Sequence, residues 1–192
     1  MTHTPDPTPS AVSVRNAAPA DMDSIADIYK PYVLQGLATF EETPPAAAEM
    51  LARREAILAL GLPYLVAELD GQVAGYAYAT SYRPRAAYRY TIEDSVYVRQ
   101  GLHGRHIGTS LLRVLIERCE AGPWRQMLAV IGDSGNAGSI ALHRRLGFRP
   151  AGTQYAVGFK LGRWVDTVQM QRALGAGDTT PPVNATPAAH SV

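Results

Sequence analysis

The stretch that most restricts how this chain can fold runs from Thr91 to Cys119, TIEDSVYVRQGLHGRHIGTSLLRVLIERC. Its first eight residues alternate as a strand does. Thr91, Glu93, Ser95 and Tyr97 fall on one face, and Ile92, Asp94, Val96 and Val98 on the other. From Ile107 the apolar residues recur at helical spacing through Leu111, Leu112, Leu115, Ile116 and Cys119. Between strand and helix lies a short turn with Gly101, Gly104 and Gly108, joined by Arg99, Arg105, His103 and His106. Glycines let a ligand approach the backbone closely, and the first amides of the following helix have no partners inside it. Together they form a cradle suited to an anion such as a pyrophosphate. The plain alternative is a glycine-containing turn with solvated arginines. Two better-known phosphate motifs do not fit. No Lys followed by Ser or Thr closes the glycines, as a P-loop requires, and GxGxxG does not open a βαβ unit.

The flanking elements limit the architecture further. A helix is expected from about Asp21, as its cap, to Leu34, with Ile25, Ile28, Tyr29, Tyr32 and Val33 on its apolar face. A second follows, with Thr43 as cap, Pro44 in its first turn and Gly61 at its exit. The loop GLATFEET between them holds Phe40 among carboxylates. Two apolar runs meet at Asp70-Gly71, the sharpest hairpin signal in the chain. QMLAVI reads as a strand, Ser139 to Leu146 as a short helix closed by Gly147, and FRPAGTQYAVGF and WVDTVQMQRAL as final strands. This order predicts an α/β (α+β) fold: a mixed, mostly antiparallel sheet flanked by helices on both faces.

Composition excludes several classes. With 192 residues, 46% of them hydrophobic and 18% charged, the chain can bury one ordinary core. A net charge of +1 does not suit a nucleic-acid binder. Cys119 is the single cysteine, so neither a disulfide framework nor a thiolate metal cluster is available, and no metal is expected. Its apolar register suggests a buried thiol. With no leader-like start and no apolar run near the ~20 residues of a bilayer span, a cytoplasmic location without membrane attachment is expected. Residues 1–11 and 175–192 are rich in Pro, Thr and small residues and are expected to be disordered, leaving residues 12–174 as the domain.

The segments SVYVRQGLHGRHIGTSLL, YLVAELDGQVAGYAYA, YRYTIEDSVYV, AVIGDSGNAGSIALHRRLGF and GFKLGRWVDTVQMQRAL together resemble the GNAT superfamily of N-acetyltransferases. More narrowly, they resemble its phosphinothricin and methionine sulfoximine acetyltransferases, from about Val14 to Leu174. The resemblance implies a GNAT fold, acetyl-CoA as donor and no metal. It also implies transfer of an acetyl group to the α-amino group of a small amino acid or analogue such as phosphinothricin, methionine sulfoximine or methionine sulfone. A homodimer is implied as well, with the late aromatic strands as a possible surface.

Carried over by position, the backbone of Val96, Tyr97 and Val98 would meet the acetyl and pantetheine portion. Gly104, Arg105, His106, Ile107, Gly108 and Thr109 would hold the pyrophosphate, and Asn136 would contact the cofactor further along. The family's motif begins with Arg or Gln and continues with Gly, where this chain has His103 and His106. A side chain at 106 requires a negative φ or an outward direction. Glu93 matches the family's proposed base and shares a strand face with Tyr97; its alternative is a carboxylate paired with an arginine. Asp94, on the other face, is the weaker candidate. His143 stands where many relatives carry a tyrosine that protonates the coenzyme A thiolate, and its alternative is a histidine that only hydrogen-bonds. Tyr155 is a weaker acid candidate. Arg83 and Arg85 would hold the acceptor carboxylate through an arginine fork, and Phe40 would line the acceptor pocket. Competing readings are acetylation of a polyamine or a protein N-terminus, or a non-catalytic acyl-CoA-binding regulator.

Overall fold

The computed structural model describes residues 11–182. In chain order these form β1 (Ser13–Asn16), α1 (Met22–Leu34), α2 (Ala47–Ala59), β2 (Tyr64–Leu69), β3 (Gln72–Ser81) and β4 (Thr91–Val98). There follow α3 (Ile107–Glu120), β5 (Gln126–Gly132), α4 (Ala137–Arg145), β6 (Arg149–Lys160) and β7 (Arg163–Ala173). The strands make one sheet in the order β1-β2-β3-β4-β5-β7-β6. Every neighbouring pair is antiparallel except β4 and β5, which run parallel because α3 carries the chain back between them.

Helices cover both faces, as the sequence order predicts. On one face α1 lies over a group of tyrosines from β2, β3 and β4. Tyr76 and Tyr97 stack at 5.1 Å, Tyr64 and Tyr78 at 5.1 Å, and Tyr29 of α1 meets Tyr97 edge-on at 4.9 Å. On the other face α3 buries Ile107, Leu111, Leu112, Leu115, Ile116 and Cys119, the predicted stripe. Gly75 of β3 makes this close packing possible, since a Cβ there would press on Tyr97 O and on the side chains of Ile107 and Leu111. The Asp70-Gly71 hairpin has φ of 55° and 75° at its two central residues, the type I′ geometry its sequence calls for.

Several local expectations change. Asp21 does not cap α1 with its side chain. Its carboxylate instead takes two hydrogen bonds from Arg15, at 2.7 and 2.8 Å, and one from the Ala18 amide. Arg15 belongs to β1, a strand too short for alternation to reveal. Helix α2 begins at Ala47 with Ala46 as its cap, rather than at Thr43. Pro45 forces the residue before it out of helical geometry, so the helix starts only beyond the proline pair. Helix α4 starts two residues earlier than expected, because Asn136 Oδ1 accepts from Ser139 N and caps it. Residues 175–180 run as turns and bends along Arg125, whose Nε donates to Gly177 O at 2.8 Å and Nη2 to Thr180 O at 2.6 Å. The ends expected to be disordered otherwise fall on residues 1–10 and 183–192, outside the described residues.

Candidate active site

The parallel pairing of β4 with β5 lasts only from Thr91 to Asp94, opposite Gln126 to Ala129. Beyond it β4 continues to Val98 and β5 to Gly132 without facing each other, and a cleft of about 530 Å³ opens in the gap. Hydrogen bonds alternate along a strand. Thr91 O and Arg99 N both engage the β3 side of the strand, which turns the peptide groups of Val96 and Val98 toward the cleft. Those of Tyr97 turn toward β3, and its ring packs under α1. Tyr32 of α1 reaches into the gap, where its hydroxyl donates to Val98 O at 2.5 Å.

The other wall is the start of α3. The first helical hydrogen bond runs from Ser110 N to His106 O, so the amides of Ile107, Gly108 and Thr109 precede it and lack helical partners. Gly104 has φ +82°, and His106, the cap residue of α3, has φ +60°. Histidine is among the residues that tolerate this left-handed region, and the His106 side chain is exposed. The negative-φ route to accommodating it is therefore not taken. Gly108 is buried where α3 meets β4 and α4, and a Cβ there would lie 3.3 Å from Leu142 Cδ2 and 3.6 Å from Val98 Cγ2. Gly104, His106, Ile107, Gly108, Thr109 and Asn136 all line the cleft together with Val96 and Val98. A strand edge at one end, where Val96 faces the cleft and Val98 is met by the Tyr32 hydroxyl, and helix amides without helical partners at the other fit an elongated, anionic ligand.

The two catalytic candidates lie on opposite faces of β4. Glu93 shares the α1 face with Ser95 and Tyr97, which line the cleft, but lies two residues short of it. Burial, and then the nearby charge of Asp94, push its carboxyl up to about 7. Among the described residues no cation offsets this shift, so the arginine-paired alternative is not found there. His143 is on the α3 side, buried, with both ring nitrogens engaged. Nδ1 lies 2.8 Å from Ser139 O, and Nε2 3.0 Å from Asp94 Oδ2. A carbonyl can only accept, so Nδ1 carries a proton. Burial lowers the imidazole, but the charge of Asp94 and the hydrogen bonds the ring donates to Asp94 and to Ser139 O outweigh it and leave the group raised. Asp94 Oδ1 is buried without a hydrogen-bond partner and lines the cleft. Asp94 was legible in one respect: a carboxylate in the apolar register with Ile92 and Val96 needs a buried partner.

The remaining candidates scatter. Arg83 and Arg85 lie exposed in the β3–β4 connection, outside the cleft lining, and Arg83 stacks over the rings of Tyr82 (4.9 Å) and Tyr88 (5.6 Å). That connection adjoins the Glu93 end of β4, since Glu93 pairs with Thr80. Arg105 is exposed beside the cradle. Phe40 is 40% exposed and packs on Gly158 of β6. Tyr155 is 77% exposed on the outermost strand and does not line the cleft. Cys119 is fully buried, with its thiol pushed up to about 12 by burial and by Asp94. Among the described residues no helix is long and apolar enough to cross a membrane.

Known proteins share this arrangement over most of its length. The family model for the acetyltransferase (GNAT) family matches residues 23–148. A phosphinothricin N-acetyltransferase of Alcaligenes faecalis is 56% identical over 172 residues, covering 90% of this chain and 87% of its own. An L-methionine sulfoximine/L-methionine sulfone acetyltransferase of Pseudomonas aeruginosa is 42% identical, over 89% of this chain and 99% of the relative. Among solved structures, a GNAT superfamily phosphinothricin acetyltransferase from Sinorhizobium meliloti, in complex with acetyl-CoA, superposes with a TM-score of 0.87. It is 48% identical, with 92% of this chain and 96% of that one covered.

Proposed function

Because the chain belongs to the GNAT family of acetyltransferases, we infer that it moves the acetyl group of acetyl-CoA onto the α-amino group of a small amino acid or analogue of the phosphinothricin and methionine sulfoximine type. The observation that carries this reading is a half-buried carboxylate, Glu93, raised to about 7 beside a cleft whose helix-start amides suit acetyl-CoA. The identity to relatives named for those acceptors narrows the substrate class.

When bound, acetyl-CoA supplies an activated thioester carbonyl. The peptide groups of Val96 and Val98 would hold its acyl and pantetheine portion, the free amides of Ile107, Gly108 and Thr109 its pyrophosphate, and Asn136 would contact it further along. Glu93 takes the proton that the acceptor ammonium carries, because only the neutral amine attacks. The amine nitrogen would then bond to the acyl carbon as the carbon–sulfur bond breaks, the sulfur leaving with the electron pair and the nitrogen shedding its second proton to water in the open cleft. His143 is the candidate source of the proton that this sulfur takes up. It has a proton to give while Asp94 keeps it charged. Arg83 and Arg85 would meet the acceptor carboxylate at the Glu93 end, with Phe40 as a wall of that pocket. The same reading assigns the reaction to the cytoplasm; among the described residues no helix is able to cross a membrane.

A thiol-release assay with acetyl-CoA against phosphinothricin, methionine sulfoximine, methionine sulfone, glutamate, a polyamine and a short peptide tests the substrate class. Turnover on the first three is expected. Turnover confined to the peptide or polyamine would remove the role given to Arg83, and binding without turnover would favour a regulator.

The same reading includes a homodimer. Tyr155, Val157, Phe159, Leu161 and Trp164 leave an apolar surface on the β6–β7 hairpin, each at least half exposed. An exposed apolar patch at a sheet edge is a common site of self-association. Sedimentation equilibrium at micromolar concentration should return twice the chain mass of 20.7 kDa; a single chain mass would dismiss the dimer.

A further inference from the structure

The loop between α1 and α2 carries Phe40 and is held against the ends of β5 and β6. Gly132 of β5 lies under the backbone of Leu37 and Ala38 with no room for a Cβ, and Gly158 of β6 lies likewise under the Phe40 ring. The Tyr29 hydroxyl contacts Thr39 Oγ1 at 2.7 Å and donates to Glu41 Oε1 at 2.9 Å. At the centre of these contacts is Lys160, the last residue of β6, only 3% exposed. Its Nζ donates to Thr39 O at 2.8 Å and to Tyr32 O at 3.2 Å. A lysine is almost never buried unless its ammonium is satisfied, and nothing in the chemistry above uses this one. Tyr32 O belongs to the last turn of α1, where carbonyls lack helical partners and the helix dipole favours a cation. One ammonium thus joins the helix end that sends Tyr32 to Val98 with the loop that carries Phe40.

We propose that Lys160 is a positioning residue for acceptor binding, locking the α1–α2 loop so that Phe40 is held ready as a pocket wall. The proposal rests on the reading of Phe40 given above. The flanking glycines let the loop approach the sheet but cannot hold it there. The ammonium can, because it is anchored to the end of α1 through Tyr32 O and holds the loop through Thr39 O, a charge-assisted hydrogen bond that is lost if the loop lifts.

Lys160→Met keeps most of the side chain's length and removes both hydrogen bonds. It should raise the acceptor KM about tenfold, with kcat within about threefold and the acetyl-CoA KM within about twofold. Lys160→Arg should restore most of the loss. In a Phe40→Ala background Lys160→Met should add little, because the wall it positions is already gone. Hydrogen exchange on the full chain should quicken at the amides of residues 36–41 and not in β3 or β4. Unchanged exchange there, or an equal penalty with and without Phe40, overturns the lock. If Phe40→Ala leaves the acceptor KM unaltered, it is the reading of Phe40 that fails, and the exchange result still decides the role of Lys160. Should Lys160→Met not yield folded protein, Lys160→Gln, shorter and uncharged but still polar, carries the same comparisons.

Discussion

Glu93→Gln is expected to lower kcat by about 10²–10³-fold and, in the same protein, to raise the melting temperature at pH 8. Both effects come from the burial of one carboxyl. In the folded chain it holds its proton to about pH 7, against an ordinary value of 4.5. The folded state therefore binds more protons than the unfolded state between these two values. The associated stability is fully present below about pH 4.5 and is lost as the pH rises through the window to about 7. At pH 8 the wild type carries a desolvated, unpaired carboxylate worth about 2–3 kcal/mol of lost stability. Glutamine keeps the shape without the charge, which corresponds to a gain of about 5–10 °C for a chain of this size. The stability difference between the two proteins should shrink toward zero as the pH falls to 5. Comparing the two cancels carboxylates such as Asp21 and Glu41, which Arg15 and Arg53 hold low and which act in the opposite sense. The wild-type rate should also rise through an ionisation near 7. Melting curves at pH 5 and 8 and a pH–rate profile check these points. Activity within a few-fold of wild type would remove Glu93 as the base, and equal melting at pH 8 would remove burial as the cause of its raised value.

Asp94→Ala is the second large effect: a destabilisation of about 3 kcal/mol or more together with a strong loss of kcat. The Asp94–His143 contact has side-chain exposures of 1% and 5%, so little water can replace the lost partner. His143 also turns its other nitrogen to Ser139 O and makes an edge contact with Phe148 at 5.0 Å, which fixes its ring. Without Asp94 the imidazole must give up its charge or remain buried as an unpaired cation. The sign with pH follows from its raised value. The stabilisation from charged His143 is present below the unfolded value of 6.5 and fades as pH rises through the folded one. The penalty of Asp94→Ala should therefore be greater at pH 6 than at pH 9. Replacing both residues, as Asp94→Ala with His143→Phe, should recover much of the stability and none of the rate, since apolar groups can replace a buried pair but cannot supply a proton. Chemical denaturation at the two pH values gives the test. A loss below about 1 kcal/mol would mean the pair behaves like an exposed one, and full activity in the double variant would dismiss His143 as acid.

The reach of sequence reasoning can be judged element by element. The strand at Thr91–Val98, the Gly-rich turn and the α3 stripe were legible because alternation, glycine and 3.6-residue spacing act over neighbouring residues. Glu93 was legible for the same reason, through its shared face with Tyr97. The start of α2 was misread because Pro44 suits a first helical turn on its own, while Pro45 after it excludes that geometry. Asp21 looked like a cap because its partner, Arg15, lies in a strand of only four residues. Lys160 gave no signal, since its two acceptors are backbone carbonyls more than a hundred residues earlier in the chain.

What the sequence determined by itself is the set of local conformations, and with them the kind of sheet and the cradle before α3. Those follow from steric and hydrogen-bonding preferences that each segment carries wherever it is placed. Only the tertiary structure decided that β4 and β5 part after Asp94, leaving Val96 and Val98 to face a cleft. It also decided that Asp94 meets His143 across 49 residues, and that Glu93 is buried enough to hold a proton near neutrality. Desolvation and pairing depend on which distant elements pack against a group, and no local pattern encodes them.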